Sequence, residues 1–164
     1  MIVRAALADD ASAINAVYNP FILESAATFE TEPWDNTRRA EWITARLTDG
    51  RYPVFTAWSD AGEIAGFASA SPFDERVAYG TSVKTSVFID SAHHGAGVGK
   101  RLYQALFEAL EGQDLHRAYA LIVAPNPASA ALHRSFGFSH VATLDEVGRK
   151  FGRYYSVMWF EKRL

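Results

Sequence analysis

Three glycines within five residues, Gly95, Gly97 and Gly99, form the part of the chain best suited to bind an anion. They follow an apolar run at residues 86–89 that predicts a strand, and they precede an amphipathic stretch that predicts a helix. Glycine has no Cβ, so the backbone can approach a ligand closely there. The first N–H groups of a helix have no partner within the helix, and the helix dipole is positive at that end. The pattern therefore predicts a loop that binds phosphate.

Two common phosphate-binding motifs do not match this loop. A Walker A loop has the pattern G-x-x-x-x-G-K-S/T, whereas three residues separate Gly95 from Gly99 and Arg101 follows Lys100. A dinucleotide-binding fingerprint has the pattern G-x-G-x-x-G, whereas one residue separates Gly97 from Gly99. For this segment taken alone, the competing interpretation is a glycine-rich turn that only starts a helix.

The amino-acid composition limits the classes of protein to which the chain can belong. The 164 residues, 49% hydrophobic and 21% charged, are typical of one globular domain spanning residues 1–164. The net charge of −3 argues against general nucleic-acid binding, which needs clustered Lys and Arg. No apolar run approaches the ~18 residues of a membrane span, and the N-terminus resembles a strand and not a signal peptide. We therefore expect a cytoplasmic protein without a nucleic-acid or membrane partner.

Two absences narrow the chemistry further. The chain has no cysteine, which excludes disulfides, thiolate zinc sites and cysteine-linked covalent intermediates. The adjacent His93 and His94 do not have the spacing of metal ligands, so no metal is expected.

Hydrophobic periodicity predicts the elements that position the glycine loop. Residues 2–6 predict a strand, residues 14–18 have helical spacing, and Pro20 predicts the end of that helix, followed by an irregular segment at residues 20–35. Helices are further predicted at residues 37–47, after the glycine loop as far as Gly112, and at 125–136, and strands at 54–58, 64–71, 82–89, 119–123, 138–144 and 154–160. An antiparallel run that precedes a βαβ unit predicts a mixed α/β sheet.

Asn126, Ser129 and His133 form a second motif, about 30 residues after the glycine loop. Asn126 at a helix start can bond both a ligand amide and backbone groups. The spacing of three and then four residues places Ser129 and His133 on the same helix face as Asn126. The competing interpretation is a capped helix that ends at Gly137.

The two motifs, in this order, resemble those of the GCN5-related N-acetyltransferases (GNAT), which bind acetyl-CoA through an x-x-Gly-x-Gly pyrophosphate loop. Nearly the whole chain resembles the phosphinothricin acetyltransferase-like branch of that superfamily. The segments that carry this resemblance are Tyr18-Asn19, Ala27-Thr28-Phe29, Glu32-Pro33, Tyr52-Pro53-Val54, Phe67-Ala68-Ser69, Ser86-Val87, Leu132-His133 and the eight residues from Glu146 to Arg153. The resemblance implies the GNAT fold, an α/β fold with a mixed, mostly antiparallel sheet of about six to seven strands. Helices flank that sheet, and it is splayed between the fourth and fifth strands.

The resemblance also implies acetyl-CoA as cosubstrate and assigns residues to it. The residues expected to bind the pyrophosphate are His94, Gly95, Ala96, Gly97, Val98, Gly99 and Lys100. Backbone groups of Val87, Phe88 and Ile89 are expected to pair with the amides of the pantetheine arm, and Asn126 and Ser129 to contact that arm from the other side. His133 matches the position from which relatives protonate the departing CoA thiolate.

This chain departs from the branch at the acceptor side. Lys84 and Thr85 stand where the branch has a Glu-His pair whose Glu is the expected general base, and an ammonium cannot accept a proton. Asp74 and Gly80 stand where the branch has two arginines for the substrate carboxylate, and Arg76 lies nearby but out of register. His94 replaces the usual Arg or Gln at the start of the loop. The residues expected to contact the acceptor are Phe29, Arg76, Lys84 and Tyr154.

We therefore expect an N-acetyltransferase in which the amino group of a small molecule attacks the thioester directly in a ternary complex. The branch acts on amino-acid-like amines such as phosphinothricin and methionine sulfoximine. Because the carboxylate-binding arginines are missing, we expect this chain to prefer an amine without a free α-carboxylate. The branch also implies a homodimer. The alternatives are a catalytically silent acetyl-CoA sensor and a nucleotide- or phosphate-binding regulatory domain.

Overall fold

The computed structural model describes all 164 residues, which form seven strands and four α-helices. In chain order they are β1 (Ile2–Ala5), α1 (Ala11–Glu24), α2 (Asn36–Asp49), β2 (Val54–Trp58), β3 (Ile64–Pro72), β4 (Ser82–Ile89), α3 (Val98–Leu110), β5 (Arg117–Val123), α4 (Pro127–Ser135), β6 (Ser139–Lys150) and β7 (Arg153–Arg163). Single 3₁₀ turns lie at Ala8–Asp10, Val77–Tyr79 and Ser91–His93. No helix combines the length and the apolar character that crossing a membrane requires.

The seven strands form one sheet in the order β1-β2-β3-β4-β5-β7-β6. β4 runs parallel to β5, with residues 82–84 in register with residues 117–119, and α3 makes the crossover between them. The pairs β1–β2, β2–β3, β5–β7 and β6–β7 are antiparallel. The predicted mixed, mostly antiparallel sheet is therefore confirmed.

The chain divides into two compact units. The first comprises Met1–Asn19, Trp34–Ser71 and Ser86–Gln113. In it α3 packs against β1 and β2. Its fully buried side chains include Ile14, Ile43, Phe67, Leu102, Tyr103 and Leu106. This unit contains the glycine loop.

The second unit comprises Pro20–Pro33, Pro72–Thr85 and Asp114–Leu164. In it α4 packs against β5, which pairs with β7. Its buried apolar side chains include Ala118, Ala120, Ile122, Phe138, Val157 and Phe160. This unit contains the second motif and the predicted acceptor residues.

The predicted end of the first helix at Pro20 is wrong, because α1 continues through Pro20 to Glu24. Proline removes the N–H that would bond to the carbonyl four residues earlier, here that of Ala16. Ala16 is exposed, so water can satisfy its carbonyl and the helix tolerates the proline. The irregular segment is accordingly shorter than predicted.

The two C-terminal strands are longer than predicted, because β6 extends to Lys150 and β7 begins at Arg153. The register shifts between Leu144 and Gly148, where Glu146 adopts a positive φ of 49°. β6 lies at the edge of the sheet and is exposed along most of its length, so its charged residues meet water and the alternation typical of a strand is lost.

Candidate functional site

The glycine loop lies between β4 and α3, as the sequence predicts. Gly97 is the N-cap of α3 with φ 75°, and Gly95 has φ 79°. A Cβ added at either glycine would meet no atom within 4 Å. Glycine is therefore required by the left-handed backbone and not by crowding, and the space beside the loop is open.

The start of α3 has no side-chain cap, because Gly97 has no side chain to accept from the first N–H groups. The preceding 3₁₀ turn does have one, since the Asp90 carboxylate accepts from the N–H of Ala92 at 2.9 Å. The exposed loop from His94 to Gly97 thus leads into a helix whose first donors are available to an anion.

His94 contacts the end of β4 through its ring. Its Nε2 lies 3.2 Å from the carbonyl oxygen of Ile89. Because a carbonyl only accepts, Nε2 carries the proton in this contact. In the neutral ring Nδ1 is then an acceptor, so His94 can donate to a phosphate through Nδ1 only as a cation.

The strand β4, predicted to bind the pantetheine arm, is held by aromatic contacts within the first unit. The Phe88 ring stacks on Phe67 with centroids 5.5 Å apart and meets Tyr18 edge-on at 4.8 Å. A Cβ on Gly66 would lie 2.6 Å from the carbonyl oxygen of Phe88. Gly66 therefore allows the backbones of β3 and β4 to approach closely.

In the second unit, Asn126 caps α4. Its Oδ1 accepts from the N–H of Ser129 at 3.0 Å, and Pro127 follows at the first helical position. The Nδ2 of Asn126 donates to no other residue, so it can bind a ligand carbonyl. The helix is thus capped as in the competing interpretation, and it begins at Pro127, two residues after the predicted start.

His133 is 3% exposed and lies on α4 one turn after Ser129. Its Nδ1 is 2.7 Å from the carbonyl oxygen of Ser129 and 3.4 Å from the Ser129 hydroxyl. Its ring meets Phe138 edge-on at 5.2 Å. Burial lowers the pKa of His133, and the weaker opposing effect of the bond to Ser129 does not reverse this. The neutral ring with the proton on Nδ1 is favoured.

Asp74 and Arg76, in the loop after β3, form a two-point ion pair. The Arg76 Nε donates to Oδ1 at 2.7 Å and Nη2 donates to Oδ2 at 3.1 Å. These bonds lower the pKa of Asp74 to about 2, with a smaller contribution from the charge of Lys84. The guanidinium predicted to contact the acceptor is therefore already bound by a carboxylate of the same loop.

The other predicted acceptor residues lie apart in the second unit. Lys84 is in register with Tyr119, and Tyr154 is exposed near the β6–β7 turn with the Arg149 guanidinium 5.7 Å from its ring. Phe29 lies 6.5 Å from Tyr155, the neighbour of Tyr154 on the opposite face of β7.

Sequence reasoning missed Lys150, which is 5% exposed and donates to three backbone carbonyls of the segment before α2. The segment from Glu146 to Arg153 carries part of the family resemblance, but no local pattern indicates a partner for this lysine. The structure contains no cluster of three His, Asp or Glu side chains arranged to bind a metal.

Comparison with known proteins agrees with this geometry. Residues 19–138 match the family model described as Acetyltransferase (GNAT) family. The chain is 45% identical to the phosphinothricin N-acetyltransferase of Streptomyces coelicolor, over 99% of this chain and 95% of the relative. It is 34% identical to an L-methionine sulfoximine/L-methionine sulfone acetyltransferase of Pseudomonas paraeruginosa, over 99% and 94% of the two chains. A crystal structure of a phosphinothricin acetyltransferase from Sinorhizobium meliloti in complex with acetyl-CoA is similar, with a TM-score of 0.93, 29% identity and coverage of 99% and 88%.

Proposed function

The chain belongs to the acetyltransferase (GNAT) family and is an acetyl-CoA-dependent N-acetyltransferase of small-molecule amines, and we propose that its acceptor is an amine without a free α-carboxylate. The observation that carries this proposal is the ion pair between Asp74 and Arg76. A guanidinium whose two-point face is occupied by an internal carboxylate cannot offer that face to a substrate carboxylate. Lys84 adds one positive charge, but it acts as a point charge without the planar geometry of arginine.

Acetyl-CoA supplies the activated acetyl group as a thioester, and the glycine loop is assigned to its pyrophosphate. The open space beside Gly95 and Gly97 and the uncapped start of α3 support this assignment. The backbone N–H groups of Val98, Gly99 and Lys100 are the proposed donors, and the exposed Lys100 side chain adds a positive charge.

The pantetheine arm is assigned to two sets of groups. Backbone groups of Val87, Phe88 and Ile89 pair with its amides as an added strand would. Asn126 offers its Nδ2 donor, and Ser129 offers its hydroxyl.

The acceptor is assigned to Phe29, Lys84, Arg76 and Tyr154. The alkylammonium must lose a proton before its nitrogen attacks. An N–C bond then forms, the C–S bond breaks, and the thiolate sulfur takes up a proton. His133 is the proposed donor of that proton. Its Nδ1–H is bound to the Ser129 carbonyl, so Nε2 takes up the proton that the attacking nitrogen loses and passes it to the sulfur. Replacing His133 with Phe is expected to lower kcat more than the affinity for acetyl-CoA, and an unchanged kcat would remove His133 from the mechanism.

The proposal includes a homodimer. β6 is an edge strand of 12 residues that is exposed along most of its length. The exposed large apolar side chains of the β6–β7 hairpin are Val141, Leu144, Val147, Phe151 and Tyr154. A second copy would cover this edge, which an isolated monomer would leave open to aggregation. Sedimentation analysis of the wild type and of Leu144→Lys tests it, with a dimer expected only for the wild type.

A panel of amines tests the acceptor. Release of CoA thiol is followed for phosphinothricin, methionine sulfoximine, a polyamine, and several amino acids paired with their α-carboxamides. After correction for the fraction of free amine, kcat/KM is expected to be higher for each carboxamide, because a carboxylate would lose hydration beside the exposed Glu75 while Arg76 is already bound by Asp74. Efficient acetylation of phosphinothricin at micromolar KM would contradict the proposed acceptor. Acetyl-CoA binding without turnover of any amine would indicate a silent sensor instead.

A further inference from the structure

Lys150, the last residue of β6, is a buried cation without a carboxylate partner. Its ammonium donates to the carbonyl oxygens of Phe21 at 3.3 Å, Ser25 at 2.7 Å and Thr28 at 2.8 Å. An ammonium has three N–H donors, so these three acceptors satisfy it completely. Burying a charge is costly unless it is hydrogen-bonded in this way.

The three carbonyls belong to the end of α1 and to the segment that follows it. Phe21 lies in the last turn of α1, where the helix dipole is negative and favours a cation. The Ser25 hydroxyl donates to Phe21 and accepts from the N–H of Ala27, and the Thr28 hydroxyl accepts from the N–H of Glu30. Residues 25–30 thus form two side-chain-stabilised turns around the Lys150 ammonium, in a segment without regular secondary structure.

Phe29 follows the last of these three carbonyls directly in the chain, and its ring lies on Gly148. A Cβ on Gly148 would come within 2.1 Å of the Phe29 ring, so only glycine leaves room for the ring in this position. Gly148 and Lys150 are two residues apart in β6 and therefore face the same side of the strand. Gly148 leaves space for the Phe29 ring, and Lys150 binds the backbone carbonyl of Thr28, the residue before Phe29.

We propose that Lys150 and Gly148 are positioning residues for the acceptor amine, because together they fix the orientation of Phe29. This inference rests on the proposed function, which assigns Phe29 to the acceptor. Phe29 is 37% exposed, and its ring lies on Gly148. The Phe29 side of the acceptor site is therefore apolar and fixed in position. The ligand group that it fits is the hydrocarbon part of the amine.

Hydrogen exchange tests the positioning without any need for turnover. In Lys150→Met the amides of residues 25–30 are expected to exchange at least tenfold faster than in the wild type. The matched control is Lys162→Met, since Lys162 also donates to a carbonyl near a helix end, that of Phe136 at 2.7 Å. Lys162→Met is expected to leave exchange at residues 25–30 unchanged. Equal exchange in Lys150→Met and the wild type would overturn the proposal.

Kinetics separate a positioning role from a merely structural one. Lys150→Met and Gly148→Ala are each expected to raise the acceptor KM about tenfold while the Kd for acetyl-CoA changes less than twofold. Either change combined with Phe29→Ala is expected to add little to the effect of Phe29→Ala alone, because all three act through one ring. Additive effects, or a loss of acetyl-CoA affinity with unchanged acceptor KM, would overturn the proposal.

Two outcomes distinguish a failure of the positioning proposal from a failure of the proposed function. If Lys150→Met does not fold, Gly148→Ala carries the kinetic test, because it keeps the lysine and Gly148 has no positive φ. If the wild-type protein acetylates no amine, the proposed function is contradicted and the acceptor role falls with it. If it acetylates amines and the variants leave KM and exchange unchanged, only the positioning proposal is overturned.

Discussion

Asp74 binds the guanidinium of Arg76 through two parallel contacts, Nε to Oδ1 at 2.7 Å and Nη2 to Oδ2 at 3.1 Å. The pKa of Asp74 is lowered to about 2 by these bonds, so its carboxylate is ionised at neutral pH. The loop after β3 therefore carries a cation that is neutralised by a nearby carboxylate of the same loop.

Replacing Asp74 with Asn is expected to release Arg76 for a substrate carboxylate. The KM for an amino acid should fall about tenfold relative to its α-carboxamide, the effect of one charge-assisted hydrogen bond. Glu75→Gln removes an exposed charge of the same loop without touching the pair and serves as the control. An unchanged ratio of the two KM values in Asp74→Asn would show that Arg76 does not face the acceptor.

Replacing Gly97 with Ala is expected to weaken acetyl-CoA binding. An L-residue at the Gly97 φ of 75° destabilises the folded state by about 1–2 kcal/mol. If the backbone relaxed from this conformation, the first N–H groups of α3 would change direction. Gly62 in the β2–β3 turn has φ 79° and equally open surroundings, so Gly62→Ala is a matched control. Both variants should lose similar stability in urea unfolding, but calorimetry should find a weaker Kd for Gly97→Ala alone. An equal Kd in the two variants would contradict the assignment of the loop to pyrophosphate.

Arg39 is expected to be the more important of two adjacent arginines for stability. It is 2% exposed, and its guanidinium lies 3.9 Å from the Trp34 ring and 4.9 Å from the rings of Trp42 and Tyr18. The Arg38 side chain is exposed, and its guanidinium lies 3.8 Å from the Trp34 ring. Arg39→Lys should lower the free energy of unfolding by about 2 kcal/mol and Arg38→Lys by less than about 1, because cation–π contacts are stronger away from water. Equal losses would contradict this difference.

His133 is expected to make stability depend on pH below neutrality. Burial lowers its pKa, so between its folded pKa and about 6.5 the unfolded chain takes up a proton that the folded chain does not. The free energy of unfolding should therefore fall as the pH drops through that window. In His133→Phe this part of the dependence should be absent, whereas a His140→Phe control replaces an exposed histidine that contacts Thr143 and Phe160. Urea unfolding with the same slope against pH in the wild type and His133→Phe would contradict the burial argument.

Features that depend on local backbone chemistry could be predicted from the sequence. α2 begins after Asp35, whose carboxylate accepts from the N–H of Arg38 at 2.7 Å, and it ends at Gly50 with φ 69°. The glycine loop and the capped start of α4 follow from the same kind of signal. Each of these depends on residues within one turn of one another, which a sequence displays directly.

Features that depend on distant residues could not be predicted. The three carbonyls bound by Lys150 lie 122 to 129 positions before it, so no spacing rule identifies them. For Arg76 the sequence indicated a contact that the structure shows to be occupied by another residue. Its charge suggested a substrate contact, and only its geometry with Asp74 shows that the charge is already neutralised.

The position of β7 has a consequence for the synthesis of the protein. β7 lies between β5 and β6 in the sheet, although it is the last strand of the chain. During translation β6 therefore has no strand to pair with until β7 has also left the ribosome. From the synthesis of β5 until that of β7, the nascent chain exposes an unpaired edge of β5. A deletion within β7 would thus remove an interior strand of the sheet and leave β6 without a partner.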